Sequence, residues 1–208
     1  MAVFLYYLGA AAVVPGRAFT RLEREPKKFR KGFRVMIMIG LLFAISAAGL
    51  AAAGALLPAP AFLPLPSHNY YFYEMFFALP VFVAAWLIGA AAGLVFSLLL
   101  GGWGSFKAAA AAWAFAFAVP AFLMWLPHAL FSGFLTLGMS QKEFMSYTAY
   151  PGLWRTAFFA YQVLALFLLL LGSTRAAQVA RDLKPIPAVI TGFFAAGVFA
   201  WVIGFVIR

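Results

Sequence analysis

The stretch VMIMIGLLFAISAAGLAAAGALL, residues 35–57, carries no charged side chain. As an α-helix it rises about 1.5 Å per residue, so it is long enough for the roughly 30 Å hydrocarbon layer of a bilayer. Four more stretches have the same character: residues 75–100, 108–126, 156–174 and 185–207. Composition agrees. The 208-residue chain is 66% hydrophobic and 10% charged, with a mean hydropathy of +1.00. A soluble domain is about 45–50% apolar and about 25% charged. The polar surface needed to coat a soluble core is lacking, which excludes a cytosolic enzyme, a secreted module, a disordered tail and a coiled coil. There are no cysteines, so disulfides, thiolate metal sites and cysteine nucleophiles are excluded. A net charge of +10 is weak evidence for nucleic acid in a chain this apolar.

The expected fold is therefore an all-α integral membrane protein with five transmembrane helices. Basic residues set its orientation. Arg17, Arg21, Arg24, Lys27, Lys28, Arg30, Lys31 and Arg34 precede the first span. Lys107 lies between the second and third, and Arg175, Arg181 and Lys184 between the fourth and fifth. Only Lys142, Arg155 and Arg208 fall on the other side. This places the N-terminus in the cytoplasm and the C-terminus outside. Residues 1–34 read as a basic cytoplasmic leader and residues 35–208 as the membrane domain. Residues 1–14 are apolar but reach only about 21 Å as a helix, which predicts a short helix lying in the interface. They also make a poor signal peptide, because no basic residue precedes the apolar run.

Local signals refine the spans. Pro80 and Pro120 predict kinks, which membrane helices tolerate. Residues 112–118, AWAFAFA, alternate like a strand, but a lone strand in lipid leaves its backbone groups unpaired. Pro127 is expected to end the third helix, leaving residues 128–139 on the outer interface or re-entering the membrane. Ser140 and Glu143 have capping-box spacing, predicting a short surface helix. Pro58, Pro60, Pro64 and Pro66 punctuate the first outer loop. Tyr70, Tyr71, Phe72 and Tyr73 follow as an interfacial aromatic belt.

The chemistry is sparse. The two histidines and five acidic residues divide between the faces, so a triad would need groups from both sides of the membrane. His68, His128 and Glu74 are placed in outer segments, as interfacial groups rather than a metal site. No catalytic, metal-binding or cofactor-binding residue is expected. Transport coupled to protons leaves ionisable groups inside the bilayer, and the middle of every predicted span lacks them. Gln162 is the most polar deep side chain. A cavity lined by Ser97, Tyr161 and Gln162 would indicate a passive transporter or channel for a small solute or lipid. Gly192, Ala196, Ala200 and Gly204 recur every four residues, and Gly89 and Gly93 do likewise. Such stripes let membrane helices approach closely, either within the bundle or between copies of the chain. Arg17, Arg21, Arg24, Lys28 and Lys31 recur at spacings of three and four and could share one side of a helix, with Pro26 as an interruption. They are the candidates for contact with anionic lipid headgroups.

Three short stretches carry a family resemblance. They are Pro15-Gly-Arg-Ala-Phe19 with Glu25-Pro26, the turn Leu100-Gly-Gly-Trp-Gly-Ser-Phe-Lys107, and residues 172–180 with Lys184-Pro-Ile-Pro-Ala188. Together they resemble the bacterial branch of the Yip domain family, five-span membrane proteins whose eukaryotic members are partners of Rab GTPases. The chain lacks the long N-terminal region and the Asp-Leu-Tyr-Gly-Pro motif of that eukaryotic branch, so Rab binding is not implied. The resemblance implies a non-enzymatic, multi-pass protein of a bacterial cytoplasmic (inner) membrane. It would act on membrane lipids, other membrane proteins or further copies of itself.

Overall fold

A computed structural model describes residues 2–57 and 65–207. Within them the order is α1 (Ala2–Val13), α2 (Pro15–Glu23), α3 (Lys28–Ala52), α4 (Tyr70–Leu99), α5 (Phe106–Thr136), α6 (Gln141–Ala149), α7 (Leu153–Arg181) and α8 (Pro185–Val206). Among the described residues there is no strand. Helices α3, α4, α5, α7 and α8 are long and apolar enough to cross a membrane. They correspond to the five expected stretches, with their ends moved outward in most cases. Pro58, Pro60, Pro64, Met1 and Arg208 lie outside the described residues. The basic residues before and in the first turns of α3, Lys107 at the start of α5, and Arg175, Arg181 and Lys184 around the end of α7 fall at one end of the bundle, here called the basic end.

Helix α5 is the axis. Every residue from Ala108 to Ala121 is buried. The alternation that imitates a strand is a helix enclosed on all sides. Its alanines let neighbours come close: a Cβ on Gly32 of α3 would lie 3.0 Å from the Ala114 Cβ, and one on Gly172 of α7 would lie 3.4 Å from Ala116. Its aromatics fill the space between. Phe117 stacks on Phe199 of α8 at 4.3 Å, and Phe115 meets Tyr7 of α1 at 5.7 Å. Trp86 of α4 donates its indole N–H to the Ala110 carbonyl at 2.8 Å.

Pro127 does not end α5, contrary to expectation; the helix runs to Thr136 and carries His128 with it. A proline inside a helix leaves the carbonyl four residues earlier without its donor. Here that carbonyl belongs to Leu123, and the Tyr161 hydroxyl of α7 donates to it. The helix continues past Pro127, and α7 supplies the missing donor. Ser140 does begin a short helix, its Oγ accepting from the Glu143 N–H at 3.2 Å. Gln141 of α6 then ties down the chain after α3 through two hydrogen bonds with the Leu56 backbone.

Helices α1 and α2 of the leader pack against the bundle. Tyr7 and Ala11 of α1 and Ala18, Phe19 and Leu22 of α2 are buried in the same core as α5. The predicted small-residue stripes are only partly used. Gly93 leaves no room for a side chain, since a Cβ there would sit 2.5 Å from the Trp113 ring, and Gly89 faces α8 and Phe117. A Cβ on Gly192 would lie 2.6 Å from the Thr174 backbone nitrogen of α7, and Ala196 is buried. Ala200 and Gly204 continue the stripe but are exposed, and a Cβ on Gly204 meets nothing within 4 Å.

Leucine at Gly192 should therefore overpack α8 against α7, a change that typically costs about 1–3 kcal/mol or more. Leucine at Gly204 should be tolerated. Thermal unfolding of Gly192→Leu and Gly204→Leu in detergent checks this; equal loss in both would contradict the contact.

Candidate functional site

Helix α2 has two chemically opposite faces. Pro15, Ala18, Phe19 and Leu22 follow helical spacing and are buried. Pro15 occupies the first turn, where its missing N–H costs nothing. Arg17 and Arg21 project from the opposite face, and Arg24 follows at the C-cap; all three are exposed. With Gly16, Thr20 and Glu25 they line an open depression. Arg21 donates to the Tyr6 hydroxyl at 3.1 Å and stacks over the Tyr6 ring at 4.9 Å. Among the described residues, neither Arg17 nor Arg24 has a hydrogen-bond or ion-pair partner on the chain.

Lys28 and Lys31 do not join this set. The chain breaks helix between Glu23 and Lys28, so the five basic residues do not share one helix face. Lys28 donates to the Glu23 carbonyl at 2.6 Å. Lys31 pairs with Glu25 at 2.9 Å and lies over the Tyr7 ring at 5.1 Å. Glu25 also accepts from the Tyr7 hydroxyl at 2.9 Å. The pair of hydrogen bonds, Lys31's first and then Tyr7's, holds the Glu25 carboxyl below its ordinary range. Tyr7 is pushed up to about 12, first by burial and then by its bond to that carboxylate. Together the three residues clamp α1 to the start of α3.

Beside the leader, the turn between α4 and α5 wraps around a buried guanidinium. Arg181, the last residue of α7, is fully enclosed. Its Nε donates to Ser97 Oγ at 2.7 Å, one terminal nitrogen to the Gly104 carbonyl and the other to the Gly102 carbonyl at 3.2 Å. Its own carbonyl accepts from the Trp103 N–H at 3.1 Å, and Trp103 Nε1 reaches Asp182 at the same distance. Gly104 has φ +119°, and a Cβ there would lie 2.9 Å from the Ala180 carbonyl. The glycine-rich turn therefore closes a helical hairpin around an arginine. No carboxylate neutralises that arginine among the described residues; the turn carbonyls of Gly102 and Gly104 and the Ser97 hydroxyl supply the acceptors. Sequence reasoning had counted Arg181 only as an orientation signal.

Other expected sites separate. Ser97 is held at the basic end by Arg181, whereas Tyr161 lies 20 residues earlier in α7, about 30 Å along the helix. Gln162 is exposed. Ser97, Tyr161 and Gln162 thus form no common cavity. His68 is exposed, whereas Glu74 and His128 are drawn into the bundle and face each other at 3.7 Å. Both are enclosed by protein rather than free in an outer loop, because α4 begins at Tyr70 and α5 continues past Pro127. Tyr70 and Tyr71 are likewise buried, Tyr70 donating to the Val206 carbonyl, while Phe72 and Tyr73 remain exposed as a belt would be.

The bundle of five apolar helices defines a multi-pass α-helical membrane protein. No family model, curated protein or solved structure matches the chain.

Two outcomes test these arrangements. Arg181→Lys cannot reach all three acceptors, and each hydrogen bond lost from a charged group costs about 1.5–3 kcal/mol; thermal unfolding in detergent should fall accordingly, with Ser97→Ala milder. For the clamp, the depressed Glu25 value means its contribution is complete above the ordinary glutamate value of about 4.3 and is lost as pH falls through the lower folded value. Amide protection factors in α1 should stay high at neutral pH and drop only in acid. In Glu25→Gln they should already be reduced at neutral pH, with little further change in acid.

Proposed function

We propose that the protein is a non-enzymatic, Yip-type membrane protein that works by holding anionic lipid headgroups, and through them membrane partners, at its basic end. In this reading the basic end faces the cytoplasm, the C-terminus lies outside, and the host membrane is a bacterial inner membrane. The observation that carries it is α2: its apolar face is sunk in the core while Arg17 and Arg24 stand outward unpaired beside Arg21. A mere topology signal needs charge but no fixed presentation. Each basic residue near an anionic surface is worth on the order of 1 kcal/mol, weakened by salt. The cavity on which a passive transporter would rest is not formed by Ser97, Tyr161 and Gln162.

Full-length protein in neutral-lipid nanodiscs, doped with a spin-labelled anionic lipid, tests the reading. The protein should immobilise that lipid, and salt should weaken the effect steeply. Replacing Arg17, Arg21 and Arg24 by Gln should cut it at least tenfold, while a spin-labelled zwitterionic lipid stays unaffected. Equal immobilisation by the substituted protein would overturn the proposal. Orientation is read separately, since the chain has no cysteine. An impermeant thiol reagent should label His68→Cys in intact cells and Lys27→Cys only after permeabilisation.

A further inference from the structure

The end of the bundle away from the basic residues holds the chain's other unusual chemistry. Glu74 sits in the second turn of α4 and His128 in the last third of α5. Measured along the helices at about 1.5 Å per residue, they lie roughly 16 Å and 10 Å from the helix midpoints. The half-thickness of the hydrocarbon layer is about 15 Å. Both therefore lie toward the ends of helices that are long and apolar enough to cross a membrane. Glu74 is 0% exposed. Both carboxyl oxygens and both imidazole nitrogens are buried with no hydrogen-bond partner. The nearest approach, His128 Nε2 to Glu74 Oε1, is 3.7 Å, too long for a hydrogen bond but within reach of an ion pair.

The walls are aromatic. The Phe43 ring of α3 lies 5.5 Å from the imidazole and the Tyr71 ring of α4 6.1 Å from it. Tyr71, itself buried, is the further titratable group beside the pair on α4. From α3 comes Phe43, and the basic residues of that helix stand at its far end; α5 contributes no ionisable group here besides His128. Leu50, Tyr70, Tyr71, Phe131 and Leu135 close a second apolar cluster above the pair.

We infer that Glu74 and His128 form a one-proton binding site, a buried acid–base pair that holds a single exchangeable proton between carboxyl and imidazole. The argument is electrostatic. With one such proton the pair is uncharged overall, whichever atom carries it. A second proton leaves a buried cation, and losing the first leaves a buried anion. Neither has a counter-charge among the groups that face the pair. An isolated charge in an apolar interior is strongly disfavoured. The one-proton, uncharged pair is therefore the state that the closed bundle favours. It exchanges that proton only when α4 and α5 part enough to admit water. Membrane segments carry ionisable groups at such expense mainly where protons or ions are handled. This site is independent of the lipid contact at the other end.

Two histidines in the chain make the test direct. His68 is exposed, so His68→Gln leaves one imidazole in an otherwise native bundle. Full-length protein with 15N-labelled histidine, in nanodiscs, is followed by NMR from pH 5 to 9. The inference expects His128 signals that do not titrate across this range. An imidazole titrating near its free value of about 6.5 would overturn it. Zinc or calcium added at micromolar concentration should leave the signals unchanged. Metal-induced shifts that Glu74→Gln abolishes would make this a cation site and likewise overturn the inference. Thermal unfolding supplies an arm independent of NMR. Glu74→Gln and His128→Gln should each lower the midpoint, and the double substitution should lose less than the sum of the two. Strict additivity would mean that the two groups hold nothing in common.

Discussion

Everything in this molecule is arranged around one helix that has no exposed face over about four of its turns. From Ala108 to Ala121 the chain of α5 is buried on all sides. A helix in that position must be thin where neighbours cross it and thick where they diverge. The alternation of alanine with Trp113, Phe115 and Phe117 meets this need. The alanines let Gly32 and Gly172 bring α3 and α7 to backbone contact. Trp113 and Phe117, one helical turn apart, face α4 and α8, while Phe115 points to α1. In lipid no water drives helices together, so such size matching carries much of the association.

The basic end solves a problem that this packing creates. There α4 and α7 end and α5 begins, and the turn between α4 and α5 leaves the Gly102 and Gly104 carbonyls in need of donors. Arg181 answers with its guanidinium, which reaches Ser97 and the Gly102 and Gly104 carbonyls at once. Arginine suits this role because its planar donors keep their charge and fork geometry when enclosed. The glycines let the turn pass close enough to be reached. On the neighbouring surface, α2 uses its apolar face as an anchor, which leaves Arg17, Arg21 and Arg24 exposed on the other side. Charge that is buried thus organises the fold, and charge that is exposed is available to a ligand.

At the opposite end the constraint is different. Pro127 leaves a carbonyl unmatched inside α5, and Tyr161 supplies the donor from α7. Because the helix survives its proline, His128 enters the bundle and meets Glu74. A local reading places both residues outside the membrane, since a proline after a long apolar run is an ordinary stop signal and the helix start at Tyr70 has no side-chain cap. The donor that overrides the stop lies 38 residues away in sequence, beyond any local pattern.

What the sequence determines here is local and additive. Five apolar runs of sufficient length make five long helices, because hydrocarbon admits a single chain segment only with its backbone bonds satisfied internally. Ser140 starts α6, and the glycine-rich turn separates α4 from α5, for equally local reasons. The amphipathic face of α2 is legible too, because polar and apolar residues alternate there with helical period. In α4, α5 and α8 that contrast is absent, since these helices are apolar all round. Their inward faces are set by size and by contacts between distant segments, which hydropathy does not record. Tertiary structure alone therefore decided that Gly192 is pressed against α7 while Gly204 is bare, that Arg181 is a buried brace, that Ser97 and Tyr161 lie far apart, and that Glu74 faces His128.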